Sequence, residues 1–95
     1  MILGGKTMKL KDDYILSDVW EGSVLVPVGD AADDFRGIIH LNETAAFIVK
    51  QLQKDTTPQK IVEELLSEYE IERSEAALHV KAVLDKLNEA GVIQE

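Results

Sequence analysis

The residues that could do chemistry in this sequence are few, and their spacing predicts no active site. His40 and His79 are the two histidines, and no recognisable spacing links either one to a serine nucleophile or a carboxylate partner. A histidine between strand residues, like His40, is more often a solvent-facing side chain than a metal ligand. The sequence therefore predicts a protein that is not an enzyme.

Acidic residues are plentiful, but their pattern does not predict a metal site either. Asp30, Asp33 and Asp34 share one loop, whereas a calcium-binding loop places acids two residues apart ahead of a glycine. The remaining carboxylates on the predicted helices fall on their outer faces. The chain has no cysteine, which excludes thiolate chemistry and disulfides. We expect neither a metal nor a cofactor.

Composition limits the partners further. The chain has 95 residues, enough for one modest core, and its formal net charge of −8 argues against a general binder of nucleic acid or anionic membranes. No apolar run approaches the roughly 20 residues of a membrane span. The absence of cysteine fits a reducing compartment, so we expect a cytoplasmic protein.

The elements that position these residues divide into strands and then helices. The stretch from Gly37 to Phe47 predicts a short strand that runs straight into a helix, with Asn42 as the N-cap. Two strands precede this one, over Tyr14–Val19 and Ser23–Val28. The strand that runs into the helix is thus the third, and it begins at Phe35 or Arg36. Short connections between the three predict an antiparallel meander.

Three helices are predicted after the sheet. The first runs from Glu43 to Lys54, and the second begins at the start signal Thr56-Thr57-Pro58-Gln59. The third runs from Ser74 to Ala90 and ends at Gly91, a glycine in the usual C-cap position. The chain is thus predicted to be an α+β domain over residues 10–95, preceded by a flexible extension over residues 1–9.

The last two helices and the residues after them also resemble a winged helix-turn-helix. A DNA-binding member of that class would present a basic face on its third helix. Here the cations near that helix, Arg73, Lys81 and Lys86, are matched by as many acids, Glu75, Asp85 and Glu89. This charge balance disfavours DNA binding. A DNA-binding regulator is therefore only the alternative prediction, together with another kind of protein-interaction module.

A series of individually weak motifs follows one order along nearly the whole chain from Leu10 onward. They are a valine-rich strand ending in Val26-Pro27, the junction Leu41-Asn42-Glu43-Thr44, the helix start at Thr57, an acidic helix ending in Tyr69, the stripe Val80/Val83/Leu84/Leu87 and the end Gly91-Val92-Ile93. In this combination the chain resembles the PqqD-like family. These proteins are peptide chaperones, or recognition elements, for ribosomally made and post-translationally modified peptides.

The resemblance implies a winged-helix-like fold with a three-stranded sheet ahead of three helices. It also implies a non-catalytic role, in which the leader of a precursor peptide binds as an added strand on the third strand, in a groove bordered by the third helix. The partners implied are this leader and a modifying enzyme, in many systems a radical S-adenosylmethionine enzyme. We expect no nucleic acid, no membrane, and a monomer or weak homodimer.

The residues themselves support strand addition. A strand such as Arg36 to Leu41 at a sheet edge offers backbone donors and acceptors to an extended peptide. Ile38 and His40 would project to one face, and Gly37, Ile39 and Leu41 to the other, without an indication of which face is the core. On the third helix, two flanks of the buried stripe are candidates for the groove: Lys81, Leu84 and Asn88 on one side, and His79, Val83 and Lys86 on the other. We favour Lys81 and Leu84 as contacts of a leader that carries acidic and aliphatic residues, with plain core packing as the equal alternative for Leu84. The predicted peptide-binding residues are Arg36, Gly37, Ile38, Ile39, His40, Leu41, Lys81 and Leu84.

Overall fold

The elements form two small sheets and a layer of three helices. A computed structural model describes residues 7–19, 22–29 and 38–94. None of the helices in these ranges is long and apolar enough to cross a membrane. The elements are β1 (Lys9–Leu10), β2 (Tyr14–Val19), β3 (Gly22–Pro27), β4 (Ile39–Leu41), α1 (Glu43–Gln51), α2 (Pro58–Glu68), α3 (Arg73–Ala90) and β5 (Ile93–Gln94).

The main sheet is the predicted antiparallel meander, with strand order β2-β3-β4. Its register places Leu16 opposite Leu25, and Leu25 opposite Ile39. Residues directly opposite each other share a face, so these three side chains lie on one side of the sheet. Leu25 is buried in the core cluster, and the other two pack against it. Together with the three helices, this sheet confirms the predicted α+β fold.

Local capping chemistry sets where the helices begin and end. The Asn42 side chain accepts a hydrogen bond from the Ala45 N–H at 2.8 Å, and Thr57 Oγ1 accepts one from the Lys60 N–H at 3.2 Å. Such caps satisfy N–H groups that have no partner inside the helix. Gly91 ends α3 with φ at +74°, a left-handed conformation that glycine adopts without a steric penalty.

Helix α1 ends at Gln51, three residues earlier than the sequence predicts. The Leu52 N–H bonds the Val49 carbonyl, which tightens the last turn, and the Leu52 carbonyl accepts the Leu10 N–H at 2.7 Å. That carbonyl is then committed to the N-terminal segment instead of a further helical turn. The end of α1 is therefore decided by a tertiary contact.

The N-terminal segment forms a second, two-stranded sheet that the sequence analysis did not anticipate. Lys9 and Leu10 of β1 pair antiparallel with Gln94 and Ile93 of β5. Met8, one residue earlier, bonds Thr56 through its N–H and its carbonyl, at 2.8 and 2.9 Å. Met8 and Lys9 therefore belong to the folded domain instead of the predicted extension, because partners far along the chain hold them. Residues 1–6 lie outside the described residues.

One hydrophobic core joins the sheet, the three helices and both sheet-forming ends of the chain. Leu10 and Ile93, from β1 and β5, belong to the same cluster as Leu25 of β3. The fully buried side chains of that cluster come mainly from the helices. They include Ile48, Val49, Leu52, Ile61, Leu65 and Leu87. This core fixes the relative positions of the two surfaces described next.

Candidate functional site

The first surface is the free side of β4, the strand at one end of the main sheet. Its residues pair with β3 alone, with Leu41 opposite Ser23 and His40 opposite Val24. No second strand lies along β4 within residues 7–19, 22–29 and 38–94. An edge strand presents a row of backbone groups without ladder partners, so this side can accept an extended chain.

The burial of its side chains shows which face of β4 packs against the core, a point that the sequence left open. Leu41 is buried, and Ile39 is half-buried against the core cluster. His40 is exposed, and Ile38 keeps 50% of its surface accessible. The core face of β4 therefore carries Ile39 and Leu41, while Ile38 and His40 border the outer face. An added strand would place its own side chains alternately beside these two sets.

The described part of the N-terminal segment does not occupy this edge. Met8 bonds Thr56, Leu10 bonds Leu52, and Lys11 donates to the Val92 carbonyl at 2.9 Å. These hydrogen bonds hold residues 8–11 against the helices and β5 instead of β4. Two of the predicted edge residues, Arg36 and Gly37, lie outside the described residues.

The second surface is a groove of about 550 Å³ between α2 and α3, here named the α2–α3 groove. Both α3 residues predicted for the peptide site, Lys81 and Leu84, line this groove, but no residue of β4 does. The structure therefore brings the predicted residues together in two places instead of one. The other apolar side chains that line it are Met8, Pro58, Val62, Ala77 and Val80.

Leu84 and Lys81 play different structural parts in that groove. Leu84 is 6% exposed and belongs to the core cluster, so the groove floor is continuous with the core. Lys81 is exposed at the rim, where its Nζ donates to Asp85 Oδ2 at 2.8 Å, one helical turn away. This hydrogen bond and the charge of Asp85 raise the pKa of Lys81.

A second ion pair lies at the groove and joins its two helices. The Arg73 guanidinium donates to Glu63 Oε2. The bond and the positive charge of Arg73 lower the pKa of the Glu63 carboxyl, and the carboxylate in turn raises the pKa of Arg73. With the Lys81–Asp85 pair, two cations and two carboxylates of the groove lining neutralise each other.

Sequence reasoning did not find the groove, although part of its lining was visible. Val62 and Ala77 occupy apolar positions of their helices and line the groove, yet an apolar stripe alone does not distinguish a packed face from an open one. In the structure Ala77 is exposed, so at this position the apolar stripe of α3 extends beyond the part that is buried in the core. Met8 carried no signal, because only its pairing with Thr56 places it here.

A second, more polar pocket lies where β4 runs into α1. Phe47 and Tyr69 meet there edge to face, with ring centroids 5.7 Å apart. The Tyr69 hydroxyl donates to Glu43 Oε2 at 3.2 Å. Partial burial, and secondarily the charge of Glu43, raise the pKa of Tyr69. This contact ties the end of α2 to the start of α1, which fixes the helix that follows β4.

No grouping of three His, Asp or Glu side chains that could hold a metal ion occurs in the part of the chain that the structure describes. The described surfaces are thus a strand edge that no other described strand pairs with and an apolar groove.

Comparison with known proteins finds one family and two solved structures. Residues 22–93 match the family model described as coenzyme PQQ synthesis protein D (PqqD). The chain is similar to a lasso peptide synthetase B1 complexed with the leader peptide, at 28% identity and a TM-score of 0.72, covering 93% of this chain and 98% of that one.

A second solved structure has the same fold at lower identity. It is TbiB1 in complex with the TbiA(beta) leader peptide, at 17% identity and a TM-score of 0.72, covering 90% of this chain and 94% of that one. No curated protein matches the sequence significantly.

Proposed function

The chain belongs to the PqqD family, and from this premise we propose that it is a peptide-binding adaptor in the biosynthesis of ribosomally made, modified peptides. It binds the leader of a precursor peptide as an additional strand on β4 and presents the peptide to a modifying enzyme. The observation that carries the proposal is the side of β4 that no other strand of the described residues pairs with, while residues 8–11 are held elsewhere. The lasso peptide synthetase B1 with its leader peptide supports the same ligand class.

Backbone pairing supplies only part of the affinity. Alternate residues of an antiparallel strand turn their N–H and C=O groups outward, so Ile38–Leu41 offers about four hydrogen bonds to a guest. At about 0.5–1.5 kcal/mol net each they contribute roughly 2–6 kcal/mol. Ordering a disordered peptide costs about 2–5 kcal/mol or more, which offsets most of that gain. Side-chain contacts must therefore supply the remaining affinity and the selectivity.

The faces of β4 specify the chemistry of the leader. On the core side, guest residues continue the layer of Ile39 and Leu41, which favours aliphatic or aromatic side chains. On the outer side, guest residues lie beside Ile38 and His40, where polar residues are tolerated because both positions are exposed. The leader segment is expected to alternate apolar and polar residues over four to six positions, a rough length set by the edge itself.

The sequence predicts that the leader contacts Lys81 and Leu84, whereas their place in the structure favours contact with a different partner. These residues line the α2–α3 groove, and β4 does not. On the partner side, we propose a radical S-adenosylmethionine enzyme as the modifying enzyme, in line with the family resemblance. Neither the leader nor this enzyme requires chemistry from the adaptor, so the proposed role is non-catalytic.

Titration of the isotope-labelled full chain with a synthetic leader tests the proposal. The leader is taken from a candidate precursor peptide identified among the neighbouring genes, and labelled duplex DNA is the comparison ligand. We expect the largest amide shifts at Ile38–Leu41 with the leader and none with DNA at 0.15 M salt. Saturable binding that leaves the β4 amides unshifted would contradict strand addition, and salt-sensitive DNA binding would favour a regulator instead.

A further inference from the structure

The α2–α3 groove has the composition of a protein docking surface. Its floor and walls are apolar, with Val62 from α2 facing Ala77, Val80 and Leu84 from α3. Its charged groups form two pairs, Arg73–Glu63 and Lys81–Asp85, at its margin. An apolar centre with a polar rim is the usual anatomy of a protein interface.

The walls of the groove decide what kind of backbone fits there. Both walls are helices, whose backbone N–H and C=O groups beyond the first turns are already bonded inside each helix. An extended guest buried in this groove would leave its own backbone groups without partners, which is costly. A helical guest satisfies its backbone internally and presents only side chains. The groove therefore suits a helix, whereas the edge of β4 suits a strand.

The length of the groove agrees with a helical guest. Along α3 its lining runs from Arg73 to Asn88. At 1.5 Å per residue this is about 22 Å, or about four helical turns. A guest of about 14 residues with apolar side chains at positions i, i+3, i+4 and i+7 would place one apolar stripe along the floor.

Charge indicates the polar face of that guest. The groove lining contributes no net charge from its two ion pairs, so the long-range field is that of the whole chain, whose formal net charge is −8. Such a field favours the approach of a basic partner and disfavours an acidic one. The guest is therefore expected to carry Lys or Arg along the flanks of its apolar stripe.

We propose that the α2–α3 groove is the docking surface for the modifying enzyme, which inserts a basic amphipathic helix between α2 and α3. This inference rests on the proposed adaptor function, because it assigns the second of the two partners. It leaves the edge of β4 free for the leader, so both partners bind at the same time.

A defined probe tests the groove without the enzyme. The probe is a 14-residue peptide of leucine and lysine with leucines at helical spacing, and its counterpart carries glutamate in place of lysine. Titrated into the labelled full chain, the Leu/Lys peptide is expected to shift the amides of Val62, Ala77 and Leu84 and to leave β4 unshifted. The Leu/Glu peptide is expected to bind at least tenfold more weakly. Shifts centred outside the groove, or equal binding of both peptides, would overturn the inference.

Two matched variants then test the enzyme itself. Ala77→Arg fills the groove, while Ala82→Arg adds the same side chain at another exposed position of α3 outside the groove lining. We expect Ala77→Arg to weaken binding of the purified modifying enzyme at least tenfold, and Ala82→Arg less than twofold. Equal effects of the two variants would overturn the inference. Thermal unfolding of both variants checks that each one folds, and the probe titration on the wild-type chain does not depend on that.

The leader separates the two proposals. Leader affinity is expected to stay within twofold of wild type in Ala77→Arg. A wild-type chain that binds the enzyme through the groove but no leader would refute the adaptor function and leave the docking surface standing. A chain whose leader binding is lost in Ala77→Arg, with enzyme binding unchanged, would make the groove part of the leader site and overturn the docking inference.

Discussion

The edge of β4 and the α2–α3 groove are both open surfaces, but they offer a partner different groups. The edge offers backbone donors and acceptors, which every residue type of an extended guest can satisfy. The groove offers apolar side chains whose own backbone is already bonded within two helices. The first is tolerant of guest sequence, and the second is selective for side-chain shape and charge. On the two proposals made above, this small domain would hold two partners of different kinds without competition between them.

The same difference predicts how substitutions act in each place. The floor of the groove is part of the core, since Leu84 belongs to the core cluster, whereas β4 contributes its backbone from the end of a sheet. Substitutions at the groove floor should change the free energy of unfolding, and substitutions that remove an outward backbone donor of β4 should change binding.

The largest effect is expected from Leu84→Ala. Truncating this buried side chain should lower the free energy of unfolding by about 2–4 kcal/mol, because it removes core contacts and leaves a cavity. The matched control is Leu78→Ala on the same helix, where the leucine is 68% exposed and a change of less than about 0.5 kcal/mol is expected. Chemical denaturation measures both. Equal losses in the two variants would show that Leu84 is not a core residue.

Proline substitutions in β4 come next. Successive N–H groups of a strand point in opposite directions, so one of Ile39 and His40 donates toward β3 and the other outward. Proline at the outward position should lower leader affinity about tenfold or more with the fold retained, because it removes a donor and disturbs the edge. Proline at the inward position should lower the free energy of unfolding instead.

Isothermal titration with the leader and thermal unfolding distinguish these two proline variants. Alanine at the same two positions is the control, since it keeps the backbone donor. If both proline variants fold and bind the leader as tightly as the wild type, the leader does not add to β4 as a strand.

Lys81→Glu should have a smaller effect on binding. Whether it raises affinity for the basic peptide or lowers affinity for the leader tells which partner lies beside Lys81. It replaces a rim cation with an acid, so we expect the basic Leu/Lys peptide to bind about two- to fivefold more tightly and leader affinity to stay within twofold. Stability should change little, because the Lys81–Asp85 pair is exposed. Fluorescence titration of both peptides measures this. A loss of affinity for an acidic leader would place Lys81 in the leader site, as the sequence predicts.

The smallest effect is expected from the ion pair across the groove. The Arg73 guanidinium lowers the pKa of Glu63 below its usual value of 4.5. A carboxyl group whose pKa is lower in the folded state stabilises the fold above its unfolded-state pKa and loses this contribution as the pH falls through the folded-state value. Glu63→Gln should therefore lower the midpoint of thermal unfolding slightly at pH 7, and the difference from wild type should vanish well below pH 4.5.

Glu64→Gln, at the next position of α2, is the control for this variant, because Glu64 forms no ion pair within the described residues. High salt should reduce the effect of Glu63→Gln, since the pair is exposed. An effect of Glu63→Gln that is unchanged by high salt would show that Glu63 acts through packing instead of charge.

Much of the fold could be predicted because its signals are local. β2 has the predicted limits, α3 begins one residue before the predicted position, and Asn42 and Gly91 cap their helices as predicted. The predicted start signal of α2 contains two adjacent threonines: the cap is Thr57, while Thr56 is buried and bonded to Met8. The sequence could not distinguish the two adjacent threonines, because their roles differ only through Met8, which lies about fifty residues earlier in the chain.

The sequence by itself determined the order of the three main-sheet strands and the three helices, the family and the presence of an edge strand, because alternation, helical periodicity and capping residues act over a few neighbouring positions. Tertiary structure alone decided which face of β4 is buried, that β1 pairs with β5, and that Lys81 and Leu84 lie in a groove apart from β4. These features depend on contacts between residues far apart in the chain, and a local pattern cannot encode a distance that only packing sets.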